Sequence, residues 1–153
     1  MRSCIRVLAL LVFAFASEAR GQSAPLENTT AFERSYAASY YALDACGDSE
    51  HGRLFRQVLV DRFRQCPFTP AARDAFKIHA ARLREKSVNR ISDLIEANGG
   101  LLTKVEGMTM TCREHQHLPE YVELAIRLDK YAAGQLAAID VAPAPCDAET
   151  ITP

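Results

Sequence analysis

The residues best suited to bind a metal fall within one short segment, 112–120. Thiolate, imidazole and carboxylate groups are the usual zinc ligands, and the segment supplies Cys112, Glu114, His115, His117 and Glu120. The spacing argues against a site, because residues two apart on a helix, such as His115 and His117, point about 200° away from each other. We therefore predict exposed histidines and no bound metal. A small extracytoplasmic enzyme or metal-binding protein that uses this segment is the alternative.

Nucleophilic catalysis has little support in the sequence. There is no Gly-x-Ser-x-Gly motif, and serines such as Ser39 and Ser87 have no base at a recognisable spacing. Carboxylate pairs such as Glu120 and Glu123 have the i,i+3 spacing of an ordinary solvated helix face. His79 falls beside apolar positions of a predicted helix, which indicates a partly buried, hydrogen-bonded histidine. We predict no catalytic residue and no cofactor.

Arginine is the residue type whose distribution most strongly suggests binding. Residues 53–90 contain ten basic and three acidic side chains, whereas residues 91–153 contain four basic and ten acidic ones. The formal net charge of −1 excludes a generally basic nucleic-acid binder. We predict a basic face that binds an anionic protein or envelope component, with Arg53, Arg56, Arg64 and Arg84 as its candidates. Mutual neutralisation of the basic and acidic helices within one fold is the alternative.

The elements that must position these residues are helices. Thr30 and Glu33 have the spacing of a capping box, and Thr69-Pro70 is a typical helix start. Apolar residues recur every three or four positions, which predicts four helices. Their inward positions are Phe32, Tyr36, Tyr40 and Leu43 in the first, Leu54, Phe55, Val58, Leu59 and Phe63 in the second, Phe76, Ala80, Leu83, Val88, Ile91, Leu94 and Ile95 in the third, and Tyr121, Ala125, Leu128 and Ala132 in the fourth. Residues 101–118 receive no assignment.

The tyrosines of the first helix allow a second interpretation. Tyr36, Tyr40 and Tyr41 are able to line a ligand cavity. Tyrosines on a core-facing helix more often pack their rings in the core and expose their hydroxyls to solvent, so we favour core packing.

Four cysteines that follow the N-terminal apolar segment predict two disulfides, because their spacing matches no zinc motif. The second helix, at 1.5 Å per residue, separates Cys46 from Cys66 by roughly 24 Å. A disulfide needs Cα atoms within about 7 Å, so these two cannot pair. In a bundle whose helices run up, down, up and down, Cys112 returns to the end that holds Cys46. The prediction is Cys46–Cys112 and Cys66–Cys146.

The N-terminus has the three parts of a cleavable signal peptide. Arg2 and Arg6 precede ten apolar residues, 7–16, and small residues follow at usable cleavage positions. Ten residues are too few to span a bilayer, and no later segment is apolar enough. A buried N-terminal helix is the alternative. We expect a signal peptide over 1–19, a flexible leader over 20–28, one helical domain over 29–148 and a tail over 149–153.

The sequence therefore predicts an all-α protein, a small four-helix up-down bundle with two disulfides. We expect export, to the periplasm if the source is bacterial and otherwise by secretion. Its function is predicted to be binding through a basic face, without catalysis and without a membrane span.

Overall fold

The computed structural model describes residues 24–97 and 102–151, which form an all-α, disulfide-linked bundle, as predicted. A 3₁₀ turn, Asp44–Cys46, follows the first helix. No helix within the described ranges is long and apolar enough to cross a membrane. The helices are α1 (Thr30–Ala42), α2 (Ser49–Gln65), α3 (Pro70–Ala97), α4 (Leu102–Gln116), α5 (Pro119–Ala132) and α6 (Ala138–Val141).

The helix starts follow local side-chain chemistry. Asp48 caps α2 by accepting a hydrogen bond from the backbone N–H of His51, and Thr69 Oγ1 accepts one from the N–H of Ala72 at the start of α3. In α1 the capping residue is Thr29 and not the expected Thr30. The hydroxyl of Thr29 donates to Glu33 Oε1 over 2.7 Å. This contact joins two side chains and caps no backbone N–H, so the predicted capping box of Thr30 and Glu33 does not form.

The core is centred on four phenylalanines where α2 and α3 meet. Phe63 stacks on Phe68 at 4.6 Å and on Phe76 at 4.2 Å between ring centroids. Phe32 of α1 meets the edges of this stack and is fully buried. Burying one such side chain stabilises the fold by about 1.5–3 kcal/mol. The stacked rings thus link α2 to α3, and α1 packs against both of these helices.

Both predicted disulfides are confirmed. Cys46 and Cys112 have Cα atoms 5.3 Å apart, and those of Cys66 and Cys146 are 5.6 Å apart. The first bond joins the 3₁₀ turn to α4, and the second joins the end of α2 to the C-terminal segment. The pairing is the one predicted from helices that alternate in direction, which place Cys46 and Cys112 at one end of the bundle and Cys66 and Cys146 at the other.

The number of helices and some inward positions differ from expectation. Residues left without assignment form α4, and a short sixth helix follows α5. The buried residues of α5 are Leu124 and Leu128, whereas Ala132 is exposed. On α3, Val88 is 45% exposed, whereas its neighbour Ser87 is buried. The side chains of Leu94 and Ile95 lie outside the described residues.

The packed domain extends beyond the expected limits of 29 and 148. The N–H of Leu26 donates to Pro67 O, and Leu26 O accepts from the N–H of Thr69. At the other end Ile151 is buried, and its N–H donates to Ser35 Oγ over 3.2 Å. Backbone pairing and apolar burial thus attach both flanking segments to the bundle. The predicted signal peptide, 1–19, lies outside the described residues.

Candidate anion-binding groove

A groove lies between α2 and α3, with α1 as its floor. Its volume is about 340 Å³. Tyr36 and Tyr40 of α1 line the floor. The walls are formed by Arg53, Arg56, Gln57 and Val60 of α2 and by Arg84 and Val88 of α3. We call this site the basic groove. It unites three of the four predicted arginines, which come from two different helices.

Arg56 is the fixed cation of the basic groove. Its Nη1 lies 2.8 Å from Asp44 Oδ2, and both side chains are largely buried. The guanidinium carbon lies 3.9 Å from the centroid of the Tyr40 ring, a cation–π contact. Gly52 makes room for the ion pair, since a Cβ at that position would lie 2.5 Å from Asp44 Oδ1. Asp44 comes from the 3₁₀ turn, so a sequence pattern within α2 does not reveal it.

Arg53 and Arg84 are the exposed cations of the basic groove. Arg53 donates two hydrogen bonds to Glu50, of 2.6 and 3.0 Å, which lower the pKa of Glu50 and raise that of Arg53. Both side chains of that pair are in solvent, where an ion pair is worth little and exchanges readily. Within the described ranges, no carboxylate lies in ion-pair contact with Arg84. Two arginines are therefore available to a ligand.

The fourth candidate, Arg64, lies outside the basic groove. It is 67% exposed and pairs with Asp61 at 2.8 Å, one turn earlier on the same helix. Asp61 in turn accepts a short hydrogen bond from the Tyr131 hydroxyl of α5. The shared helical face that the spacing predicted does not bring Arg64 into the groove, because the groove ends near Val60.

Tyr40 supplies a neutral hydroxyl on the groove floor. Burial, together with its hydrogen bond to Tyr36, raises the pKa of Tyr40 to about 12, although Arg56 and Arg84 act in the opposite direction. The phenol therefore stays protonated at physiological pH. Of the three tyrosines considered as cavity residues, Tyr36 and Tyr40 line the groove and Tyr41 does not.

Part of the arginine excess has a structural role that the charge count did not reveal. Arg62 is 4% exposed and donates to the backbone carbonyls of Ala142 and Ala144. Arg73 donates to carbonyls at the end of α2, including Cys66 O at 2.5 Å. These two arginines bind the polypeptide itself and are unavailable to a partner.

The local ion pairs also bear on the alternative of mutual neutralisation. The acids that pair with Arg53, Arg56 and Arg64 are Glu50, Asp44 and Asp61. All three belong to the N-terminal half of the chain and not to α5 or the tail. The charges of these three arginines are therefore balanced by acids close to them in the chain, and not by the acidic residues of α5 or the tail.

The 112–120 segment does not assemble into a ligand cluster. Cys112 is held in its disulfide, and no group of three metal-ligand side chains occurs among residues 24–97 and 102–151. The ring of His115 packs against Tyr121 with centroids 5.2 Å apart. His79, expected to be partly buried, is 49% exposed and contacts Glu33 at 3.1 Å. It lies on the outer surface because the core-facing positions of that turn are Phe76 and Ala80.

The basic groove is chemically suited to hold an anion. The guanidinium groups of arginine donate paired hydrogen bonds to carboxylate or phosphate. No serine, threonine or cysteine is among the residues that line the basic groove. In comparisons with known proteins, the chain matches no protein-family model, no curated protein and no solved structure.

Proposed function

We propose that this protein is a non-catalytic binding protein that works outside the cytoplasm and holds an anionic ligand in the basic groove. The observation that carries the proposal is the convergence of Arg53, Arg56 and Arg84 over a tyrosine floor. Two long-range disulfides support an oxidising compartment, because such bonds persist mainly in exported proteins. The ligand class is a molecule or chain bearing carboxylate or phosphate groups.

The three arginines have different roles in this proposal. Arg56 is held in place by Asp44 and Tyr40. Its guanidinium group is therefore preorganised, and ligand binding costs little side-chain conformational entropy at this residue. Arg53 leaves its exposed pair with Glu50 to meet the ligand, at small cost. Arg84 approaches from the opposite wall. A ligand that carries two anionic groups is able to bridge α2 and α3 and close the groove.

The test is a charge reversal of the two exposed groove arginines, Arg53→Glu with Arg84→Glu. Arg56 is left intact because its loss would leave Asp44 unpaired and disturb the fold. Inorganic polyphosphate is the probe, measured by titration calorimetry. We expect the dissociation constant to rise about tenfold, since each of the two exposed contacts is worth up to about 1 kcal/mol and 1.4 kcal/mol is tenfold. Affinity should also fall with added salt as screening shortens the Debye length.

The matched control is Arg64→Glu with Arg82→Glu, which makes the same change in net charge on the same two helices outside the groove lining. This control should bind polyphosphate within about threefold of the unmodified protein. Equal weakening by both double variants would mean that net charge alone drives binding and that the groove is not the site. Far-ultraviolet circular dichroism of all variants establishes that the fold is intact.

A further inference from the structure

A second pocket lies on the side of α1 that faces away from the basic groove. Ala38 and Ala42 line it, and they lie about 200° around the helix from Tyr36 and Tyr40. Phe55 of α2 and Leu124 of α5 form further walls. The volume of this apolar pocket is about 180 Å³. For comparison, a dry protein cavity of about 150 Å³ accommodates benzene.

The floor of the apolar pocket consists mainly of side chains that belong to the hydrophobic core. Leu43, Phe55 and Leu124 are buried hydrocarbon side chains. Ser35 and Ser39 also reach the floor, but their hydroxyls are already engaged. Ser35 Oγ accepts from the N–H of Ile151, and Ser39 Oγ donates to Tyr36 O over 2.7 Å. The floor therefore presents mainly apolar surface, and both serine oxygens already take part in hydrogen bonds within the fold.

The rim of the apolar pocket contains two polar side chains, Glu120 and His115. Glu120 is exposed and His115 is half-buried, and both line the pocket. In the part of the chain that the structure describes, neither side chain makes a hydrogen bond or an ion pair. His115 is positioned by its edge contact with the Tyr121 ring. An apolar pocket thus has one free carboxylate and one free imidazole at its entrance.

We propose that the apolar pocket binds a small aromatic primary amine, with the ring between α1, α2 and α5 and the ammonium group against Glu120. The volume fits a benzene ring with one or two further atoms. An ammonium has three donors, and the two oxygens of the Glu120 carboxylate are acceptors for them. A carboxylic acid of the same size is disfavoured, because its charge would face that of Glu120. This ligand is opposite in charge to that of the basic groove.

The test compares benzylamine, benzyl alcohol and benzoate, which share a ring and differ in charge. Each is titrated into the full mature chain near neutral pH, and backbone amide shifts are followed by nuclear magnetic resonance. Benzylamine should shift residues 35–43 and 120–124 and should bind about fivefold more tightly than benzyl alcohol, the upper range for a partly exposed ion pair. Benzoate should bind more weakly than benzyl alcohol.

Two variants locate the charge preference. Glu120→Gln should make benzylamine and benzyl alcohol bind equally, while Glu123→Gln, an exposed carboxylate on the same helix outside the pocket, should preserve the fivefold difference. The proposal is overturned if benzylamine and benzyl alcohol bind the unmodified protein equally. It is also overturned if no compound binds, or if the shifts fall on residues 53–57 and 84–88 of the basic groove instead.

Discussion

Replacing Arg62 with methionine tests whether this arginine acts in folding or in binding. Its Nε donates to Ala142 O over 2.8 Å and its Nη2 to Ala144 O over 2.5 Å. Both carbonyls belong to the segment that leads to Cys146. Burial of the guanidinium lowers the pKa of Arg62, which reflects the cost of removing a charge from water. Methionine keeps the apolar stem and removes the charge together with both donors.

The magnitude follows mainly from the two hydrogen bonds to backbone carbonyls, which methionine cannot make. A hydrogen bond from a charged donor contributes about 1.5–3 kcal/mol, so two contribute about 3–6 kcal/mol. Removing the buried charge also removes its desolvation cost, which offsets part of this. We expect the free energy of unfolding to fall by about 3 kcal/mol. In a domain of this size that corresponds to a decrease of roughly 10 °C in Tm.

The assay is urea denaturation followed by circular dichroism, with Arg64→Met as the matched control. Arg64 lies two residues along the same helix and is 67% exposed, so its replacement should cost less than about 1 kcal/mol. Polyphosphate binding of the native Arg62→Met variant should be unchanged, because Arg62 does not line the basic groove. Equal stability losses in the two variants would refute the assignment of Arg62 to the fold, as would a loss of binding without a loss of stability.

Two further predictions concern His51 and the mature chain. Burial disfavours the charged form of His51, but its hydrogen bonds and charge contacts with Asp48 and Asp129 prevail and raise its pKa. The stabilisation is complete below the pKa of an unfolded histidine, about 6.5, and is lost as pH rises through the folded value. The loss of unfolding free energy in His51→Gln should therefore be larger at pH 5.5 than at pH 8.5, and a pH-independent loss would contradict this account. Non-reducing mass spectrometry of the protein from its native source should show an N-terminus between residues 17 and 22 and cross-linked peptides that join Cys46 to Cys112 and Cys66 to Cys146. An intact Met1 or a Cys46–Cys66 peptide would contradict the prediction.

The fold was largely predictable because its determinants are local or geometric. Thr69-Pro70 and Asp48 act within one helical turn, so their effect can be read directly from neighbouring residues. The disulfide pairing depended only on helix length and direction. Helix α4 was missed because its sequence has no start signal comparable to Thr69-Pro70, which marks the beginning of the equally weakly amphipathic α3. Its position is instead fixed by Cys112 and by the hydrogen bond from Gln116 to Cys46 O, 70 residues away.

The site was less predictable because some arginines, such as Arg62, have partners far along the chain, whereas others pair within one helical turn. Counting charges pointed to the helices that form the groove, and three of the four chosen arginines line it. The count cannot distinguish Arg62, whose acceptors lie 80 and 82 residues away, from Arg64, which faces solvent. It also cannot place Asp44 beside Arg56. The apolar pocket joins residues of four helices, and no spacing within one helix indicates it.

The two disulfides also determine how the molecule responds to proteolysis. Cys46 and Cys66 both precede Cys112 and Cys146, and each bond joins one member of the first pair to one of the second. A single backbone cut between residues 66 and 112 therefore yields two fragments that remain linked by both bonds. Such a nicked molecule would keep its mass, apart from one added water, until a reductant separated it into halves. A cut between residues 46 and 66 leaves only the Cys46–Cys112 bond to hold the pieces together.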